Sequence, residues 1–335
     1  HSDPSSRIYH SNIRDLFLTK FIRTESSGGV ALVIACAIAL IFANSPLRDF
    51  YESFFSPFHD FINEGLMAIF FFLVGLEIKR EFAQGEFKNP KNAALPVIAA
   101  LGGMVIPAAI FLALNPNSPA WATAMPTDLA LALGVFALLG KGANPAARLF
   151  LLTLAVADDL FSLIVLAIFY GDKLDLIHSA STLGAAAVGA ALALIPKFPV
   201  SKVIGLLSPI CTFFVIPVYV ISKLSQGISI ESLSSSTATS LIAARVIGKV
   251  IGITLFAWIA IKISLASLPK DLRFTDIAGI GALAGMGLTV ALVISEVAIE
   301  SEKIQGDVKA GLIISAVISG VIGFLWLKRS LALRS

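Results

Sequence analysis

Residues 154–166 read LAVADDLFSLIVL. Apart from Ser162 and two adjacent acids, Asp158 and Asp159, the stretch is apolar. The apolar character continues on both sides, over about 147–170, close to the ~20 residues a helix needs to cross the hydrocarbon of a bilayer. An ionisable side chain at that depth costs roughly 2.5–3.5 kcal/mol on insertion scales. A chain that accepts this cost twice in a row is read as a membrane helix whose acids have a task.

The composition agrees. The chain is 57% hydrophobic and 14% charged, with a mean hydropathy of +0.88. A soluble domain carries roughly 25% charged residues. Ten apolar spans are read, at 28–44, 61–78, 92–114, 120–140, 147–170, 179–196, 203–222, 240–261, 276–299 and 308–327. Backbone groups in lipid must be satisfied within the segment, so the spans are helices. With the N-terminus inside, eighteen basic residues fall in inner loops and five (Arg48, Lys173, Lys223, Lys303, Lys309) in outer ones. This positive-inside bias supports ten spans with both termini cytoplasmic; a bacterial-type inner (cytoplasmic) membrane is expected. Residues 1–27 are read as a separate N-terminal segment without a cleavable signal. Its NIRDLFLTKFIR (12–23) places Ile13, Leu16, Phe17 and Phe21 on one face, which predicts a helix lying on the membrane surface. Residues 28–335 form a single transmembrane domain.

Several classes fall away. Cys36 and Cys211 lie in separate spans and make neither a disulfide framework nor a zinc site. The histidines (1, 10, 59 and 178) lack metal-ligand spacing and none lies deep in a span, so no imidazole is expected to control a pH response. GIGALAG (279–285) has the wrong spacing for a dinucleotide fingerprint. No cofactor and no nucleic-acid partner is expected; the partner is the bilayer.

Asp128, Asp158, Asp159, Arg245 and Lys249 all sit within spans. Neighbouring residues point about 100° apart around a helix. Asp158 and Asp159 therefore make different contacts, one facing a watery cavity and the other a cation. Such a carboxylate can exchange a proton for a hard cation, which prefers oxygen ligands. MPTDLALALG (125–134) puts Pro126 and Thr127 just before Asp128, and proline interrupts a helix. GIGALAGMGLTV (279–290) carries four glycines. These are read either as a second interruption, marking a midplane site, or as close helix packing. Arg245, four residues before Lys249, is expected on the same face, holding an acid such as Asp158.

At these residues the chain resembles the NhaA-type sodium/proton antiporters. TESSGGVALVIACAIALIFANSPL (24–47), INEGLMAIFFFLVGLEIKREF (62–82) and ALPVIAALGGMVIPA (94–108) are similar to the family's first three helices. TDLALALGVFALLG (127–140) and DDL resemble its broken fourth helix and its fifth. IGKVIGI (247–253) and GMGLTVALVISEVA (285–298) resemble its tenth and its broken eleventh. The resemblance implies an all-α polytopic fold in which spans three to five and the last three form inverted repeats with two crossing broken helices. It implies Asp159 as main sodium or lithium ligand, with Asp158 beside it and paired to Lys249. Asp128 and Thr127 belong to the crossing, and Thr127 adds an oxygen ligand. Glu77 and Glu81 stand at a cytoplasmic funnel, and Glu64 near the other end of the second helix.

The chain departs from the family's pattern. Two of its twelve helices are missing after ALALIPKFPVSK (191–202). LSPICTFFVIPVYVISKLSQG (207–227) lacks the usual FANAG-like ending. Pro126 stands where Ala is usual, Phe161 where Gly is, and Val250 where Pro is; Arg245 is an extra cation. The expected function is secondary exchange of sodium or lithium for protons, by alternating access and without covalent chemistry. Two other readings stay open: a non-transporting structural subunit of a larger membrane complex, motivated by the missing helices, and an organic-anion carrier, motivated by Arg245. A homodimer is a third form of partnership.

Overall fold

The computed structural model describes residues 27–173, 176–195, 197–224 and 230–333. The surface helix expected within 1–27 lies outside the described residues. Those that are described form helices and their connections, with no strand among them.

The first helix, α1 (Ser27–Ala43), leads to a short α2 (Arg48–Phe55) and then to α3 (Phe61–Gln84). A glycine, Gly85, ends α3. Pro90 occupies the first turn of α4 (Pro90–Leu114), where its missing N–H costs nothing. Asn89 caps that turn by accepting from Lys91 N at 3.1 Å. A short 3-10 segment, α5 (Pro119–Ala124), and α6 (Leu129–Ala137) make one interrupted span. The next helix, α7 (Pro145–Tyr170), repeats the Asn–Pro start, with Asn144 accepting from Ala146 N at 3.0 Å. Then come α8 (Ile177–Leu192), α9 (Val200–Lys223) and α10 (Ser236–Lys262). The chain closes with α11 (Phe274–Ala284), α12 (Thr289–Ala298) and the long α13 (Glu302–Ala332).

Each of the ten expected spans holds an apolar helix. Among the described residues seven helices are long and apolar enough to cross a membrane; the pair α11 and α12, bent by 51°, makes an eighth. The helices at 28–44 and 179–196, α1 and α8, are apolar but shorter. Lys223 and Lys309, counted above as outer-loop cations, are buried, 5% and 4% exposed, the first at the end of α9 and the second within α13.

One order occurs twice: long helix, interrupted helix, long helix. It is α4, α5/α6, α7 and then α10, α11/α12, α13. The two copies run in opposite directions. Asn115, just past the end of α4, meets Ser236 at the start of α10, with Ser236 Oγ and Asn115 Oδ1 2.9 Å apart. Gly102 and Gly252 sit where these helices cross, and a Cβ on either would strike the other's carbonyl. Small residues let the two backbones touch. A second layer, α3 with α8 and α9, packs beside the repeats.

Large apolar side chains such as Ile168, Leu206, Val317 and Leu325 point outward. Buried positions include Asp158, Arg245 and Lys249. Charge inside and apolar bulk outside is the arrangement a bilayer solvent demands.

Candidate ion-binding site at the helix crossing

Both interruptions meet in the middle of the fold. Pro126 cannot continue a helix, so the chain from Met125 to Asp128 is irregular between α5 and α6. Gly285 to Leu288 form the other break, and a Cβ on Gly287 would collide with Pro126 O and with Arg245. The glycines therefore do both jobs considered above: Gly287 permits the crossing, while Gly279 packs against Leu327.

The two breaks are joined directly. Asp128 N donates to Met286 O at 2.7 Å, and Thr127 Oγ1 donates to Ala284 O at 3.0 Å. A broken helix leaves N–H groups bare at one end and carbonyls at the other. Asp128 serves the two N-terminal ends. Its Oδ1 accepts from Leu131 N in α6 at 3.2 Å. Its Oδ2 accepts from Thr289 Oγ1 at 2.5 Å and from Thr289 N, at the start of α12, at 3.4 Å. One negative charge thus meets two positive dipole ends.

The carbonyl ends are met by two buried cations. Arg245 donates through Nη1 to Thr123 O and through Nη2 to Pro126 O, both at 2.7 Å, and through Nε to Gly285 O at 3.2 Å. Lys249 Nζ donates to Met125 O and to Thr127 Oγ1, the latter at 3.0 Å. It lies 3.5 Å from Asp158 Oδ2, which also accepts from Thr127 N at 2.5 Å. The expected Lys249–Asp158 pairing is present.

The expected partner of Arg245 is not. Its donors go to three carbonyls rather than to Asp158. The physical reason is that the carbonyls left bare by the two breaks lie within reach of its guanidinium, while Lys249, on the same side of α10, takes the neighbouring Met125 O. Residues Ala244–Gly248 form a single π-helical turn. Single π turns of this kind favour functional sites. Two departures from the family's pattern, Pro126 and Arg245, are also hydrogen-bonded to each other.

The adjacent acids diverge as their geometry requires. Asp158 is 1% exposed and turned to Lys249; its Oδ1 has no hydrogen-bond partner among the described residues. Asp159 lines a cavity of about 210 Å³ together with Glu77, Glu81, Thr127, Asp128 and Thr289. Glu77, Arg80 and Glu81 on α3 line it together with Thr153 and Asp159 from α7 and Cys211 and Ile216 from α9. Glu81 also accepts from Glu86 N at 2.8 Å. Glu64 lies in the π turn that opens α3, outside this cavity. Among the described residues no group of three His, Cys, Asp or Glu is gathered as a closed metal site.

Thr289 was not singled out from the sequence, although it follows the glycine break as Thr127 follows Pro126. The hydroxyl of Thr127 is engaged by Ala284 O and Lys249, so it is held by the crossing rather than turned to a ligand.

Two interrupted helices crossing in opposite repeats, with charges at each broken end and an acid open to a cavity, define a secondary transporter of cations. The sequence pattern of the Na+/H+ antiporter 1 family matches residues 19–207 and 196–327. The chain is 32% identical to the Na(+)/H(+) antiporter NhaA of Citrobacter koseri over 382 aligned positions, covering 94% of this chain and 98% of that protein. It is 32% identical to NhaA of Escherichia coli, over 93% of this chain and 97% of the relative, and to that of Salmonella paratyphi B, over 94% and 98%. The chain belongs to the Na+/H+ antiporter 1 family. The alignments run longer than the 335-residue chain, and the two family matches overlap at 196–207. The relatives therefore carry a segment near residues 196–207 that this chain lacks.

Proposed function

We propose that this chain exchanges sodium, or lithium, for protons across the membrane, with Asp159 holding the cation and Asp158 and Lys249 answering it. The observation that carries the reading is the divergence of the two acids. A cation arriving from the cavity meets Asp159, flanked by Asp128, and balances its charge. Asp158 behind it is held by Lys249. Sodium and a proton compete for the same carboxylate oxygens, so loading one releases the other. The Lys249–Asp158 pair answers each change in charge as a coupled unit. Arg245 and Asp128 hold the crossing together while this happens. Glu77 and Glu81, in the cavity lining, gather cations by their charge.

No feature of the site favours an organic anion: the cavity reaches Asp159 and Asp128, which repel one. Every charge at the crossing is present, which argues for a working carrier over an inert scaffold. The face that bears Glu77, Glu81 and the end of α3 is the inner one, by the distribution of basic residues, and the membrane is the inner membrane. The test is sodium-driven proton movement, reported by a pH-sensitive dye, in proteoliposomes of the purified chain. Absence of exchange in folded protein sinks the proposal.

The pH profile is expected to follow the crossing rather than an imidazole. His59 is exposed and bonded to Asn63, and His178 stands on the far side of the fold from Asp159. Replacing both by Gln is expected to move the midpoint of activation by less than about one pH unit, within the ordinary scatter of titrating groups. Exchange measured against pH in the double variant checks this, and a larger shift makes one of them the sensor.

A further inference from the structure

On the far side of Asp159 lies a second cavity, of about 350 Å³, lined by Asn63, His178, Tyr219, Glu296 and Glu300. It opens toward the outer ends of α9 and α12. Both helices line the inner cavity as well. On α9, Ile216 borders the inner cavity and Tyr219 the outer one; on α12 the pair is Val290 and Val293. On each helix the offset is a single turn, about 5 Å of rise. The two cavities thus approach each other along one seam between α9 and α12.

At the outer end of that seam Lys223, the last residue of α9, forms a salt bridge with Glu296 of α12. Lys223 is 5% exposed and Glu296 is partly exposed to the cavity. Tyr219 OH donates to Glu296 at 3.4 Å, and the buried Lys309 of α13 adds positive charge to the same group. The pair ties the second layer of the fold to the repeat that contains the crossing. A buried ion pair holds as a unit, because leaving one partner buried alone is strongly unfavourable. Such a pair is either shut or opened into water, which is the behaviour of a two-state latch.

We propose that the cation leaves or enters on the outer side between α9 and α12, and that Lys223–Glu296 is the latch that closes this route. This rests on the exchange proposed above. Breaking the latch exposes the inner cavity from both sides of the membrane.

The test uses the full chain in sealed vesicles, with Cys36→Ala and Cys211→Ala, and a reporter at Val290→Cys. A membrane-impermeant methanethiosulfonate reagent is applied from each face in turn. With the pair intact, Val290→Cys is expected to react from one face only. With Glu296→Gln it is expected to react from the second face at least about tenfold faster, as an open form that was at most roughly a tenth of the population becomes the main one. The exchanged pair, Lys223→Glu with Glu296→Lys, restores the bridge and is expected to restore protection. Glu296→Asp keeps the charge with a shorter reach and is expected to react at an intermediate rate, which serves if Glu296→Gln does not fold. Protection unchanged in folded Glu296→Gln or Glu296→Asp, or an exchanged pair as reactive as the single variant, overturns the latch. Labelling needs no transport, so this outcome is separate from whether the intact chain moves sodium, which dye-reported exchange decides.

Discussion

Asp159→Asn is expected to abolish sodium/proton exchange and sodium binding together while leaving the protein folded. Asparagine keeps the size of the side chain and can still hydrogen-bond, but it removes the charge that meets the cation in the cavity. Asp159 makes none of the bonds that join the broken helices; these belong to Asp128, Thr127, Arg245 and Lys249. The loss is therefore one of function. Asp158→Asn is a different case. It leaves Lys249 without its carboxylate, so transport is expected to fall, with fewer protons moved per sodium. Calorimetric sodium titration and proteoliposome exchange on the three proteins check both outcomes. If Asp159→Asn binds sodium as well as the intact chain, the ion is held elsewhere and the roles given to the two acids are wrong.

Arg245→Met is expected to destabilise the protein more than Lys249→Gln does, although Lys249 stands nearer the transported charge. When Lys249 is lost, Asp158 still has an escape, because it keeps the bond from Thr127 N. Carbonyl oxygens have no such escape. Removing Arg245 strands Thr123 O, Pro126 O and Gly285 O in the interior, at about 1–3 kcal/mol each. The midpoint of thermal unfolding in detergent is expected to fall by about 10 °C or more. Arg245→Lys keeps the charge but reaches at most part of the set, since its ammonium lacks the planar fork of donors; its loss should be smaller. The transport ranking is expected to be the reverse in whatever fraction folds, with Lys249→Gln losing proton coupling and Arg245→Lys keeping it. A thermal midpoint for Arg245→Met within about 2 °C of the intact chain would show that other groups satisfy those carbonyls.

The sequence was most legible where a residue type stood in the wrong solvent. Asp128, Asp158, Asp159 and Lys249 announced the site because charge is expensive at membrane depth, and the structure brings all four to one crossing. The spans were readable for the same reason, down to the interruption at Pro126; the glycines of 279–290 read equally well as a second break or as close packing. What stayed hidden depends on phase and on backbone. The partners of Arg245 are carbonyls, which every residue carries and no sequence pattern marks. The π turn at Ala244–Gly248 leaves the apolar pattern of α10 intact. Lys223 read as an outer-loop cation, and Glu296, near the end of the span 276–299, was not singled out; only packing reveals that they are neighbours. Thr289 looked like one more small residue in a glycine-rich segment until Asp128 was placed beside it.

The bonds that knit the crossing also constrain how the molecule can move. Asp128 N to Met286 O and Thr127 Oγ1 to Ala284 O tie one interrupted helix to the other, and Arg245 pins both to α10. None of these pieces can slide past its neighbour without stranding buried polar groups. The crossing behaves as a fulcrum rather than as a pair of shutters. Displacement is then taken up where the two layers meet, along the faces that α3 and α9 present to α7 and α12. Spin labels on α3 and α9 should report distance changes to α12 on addition of sodium, while labels placed within α4, α10 and α13 keep their spacing.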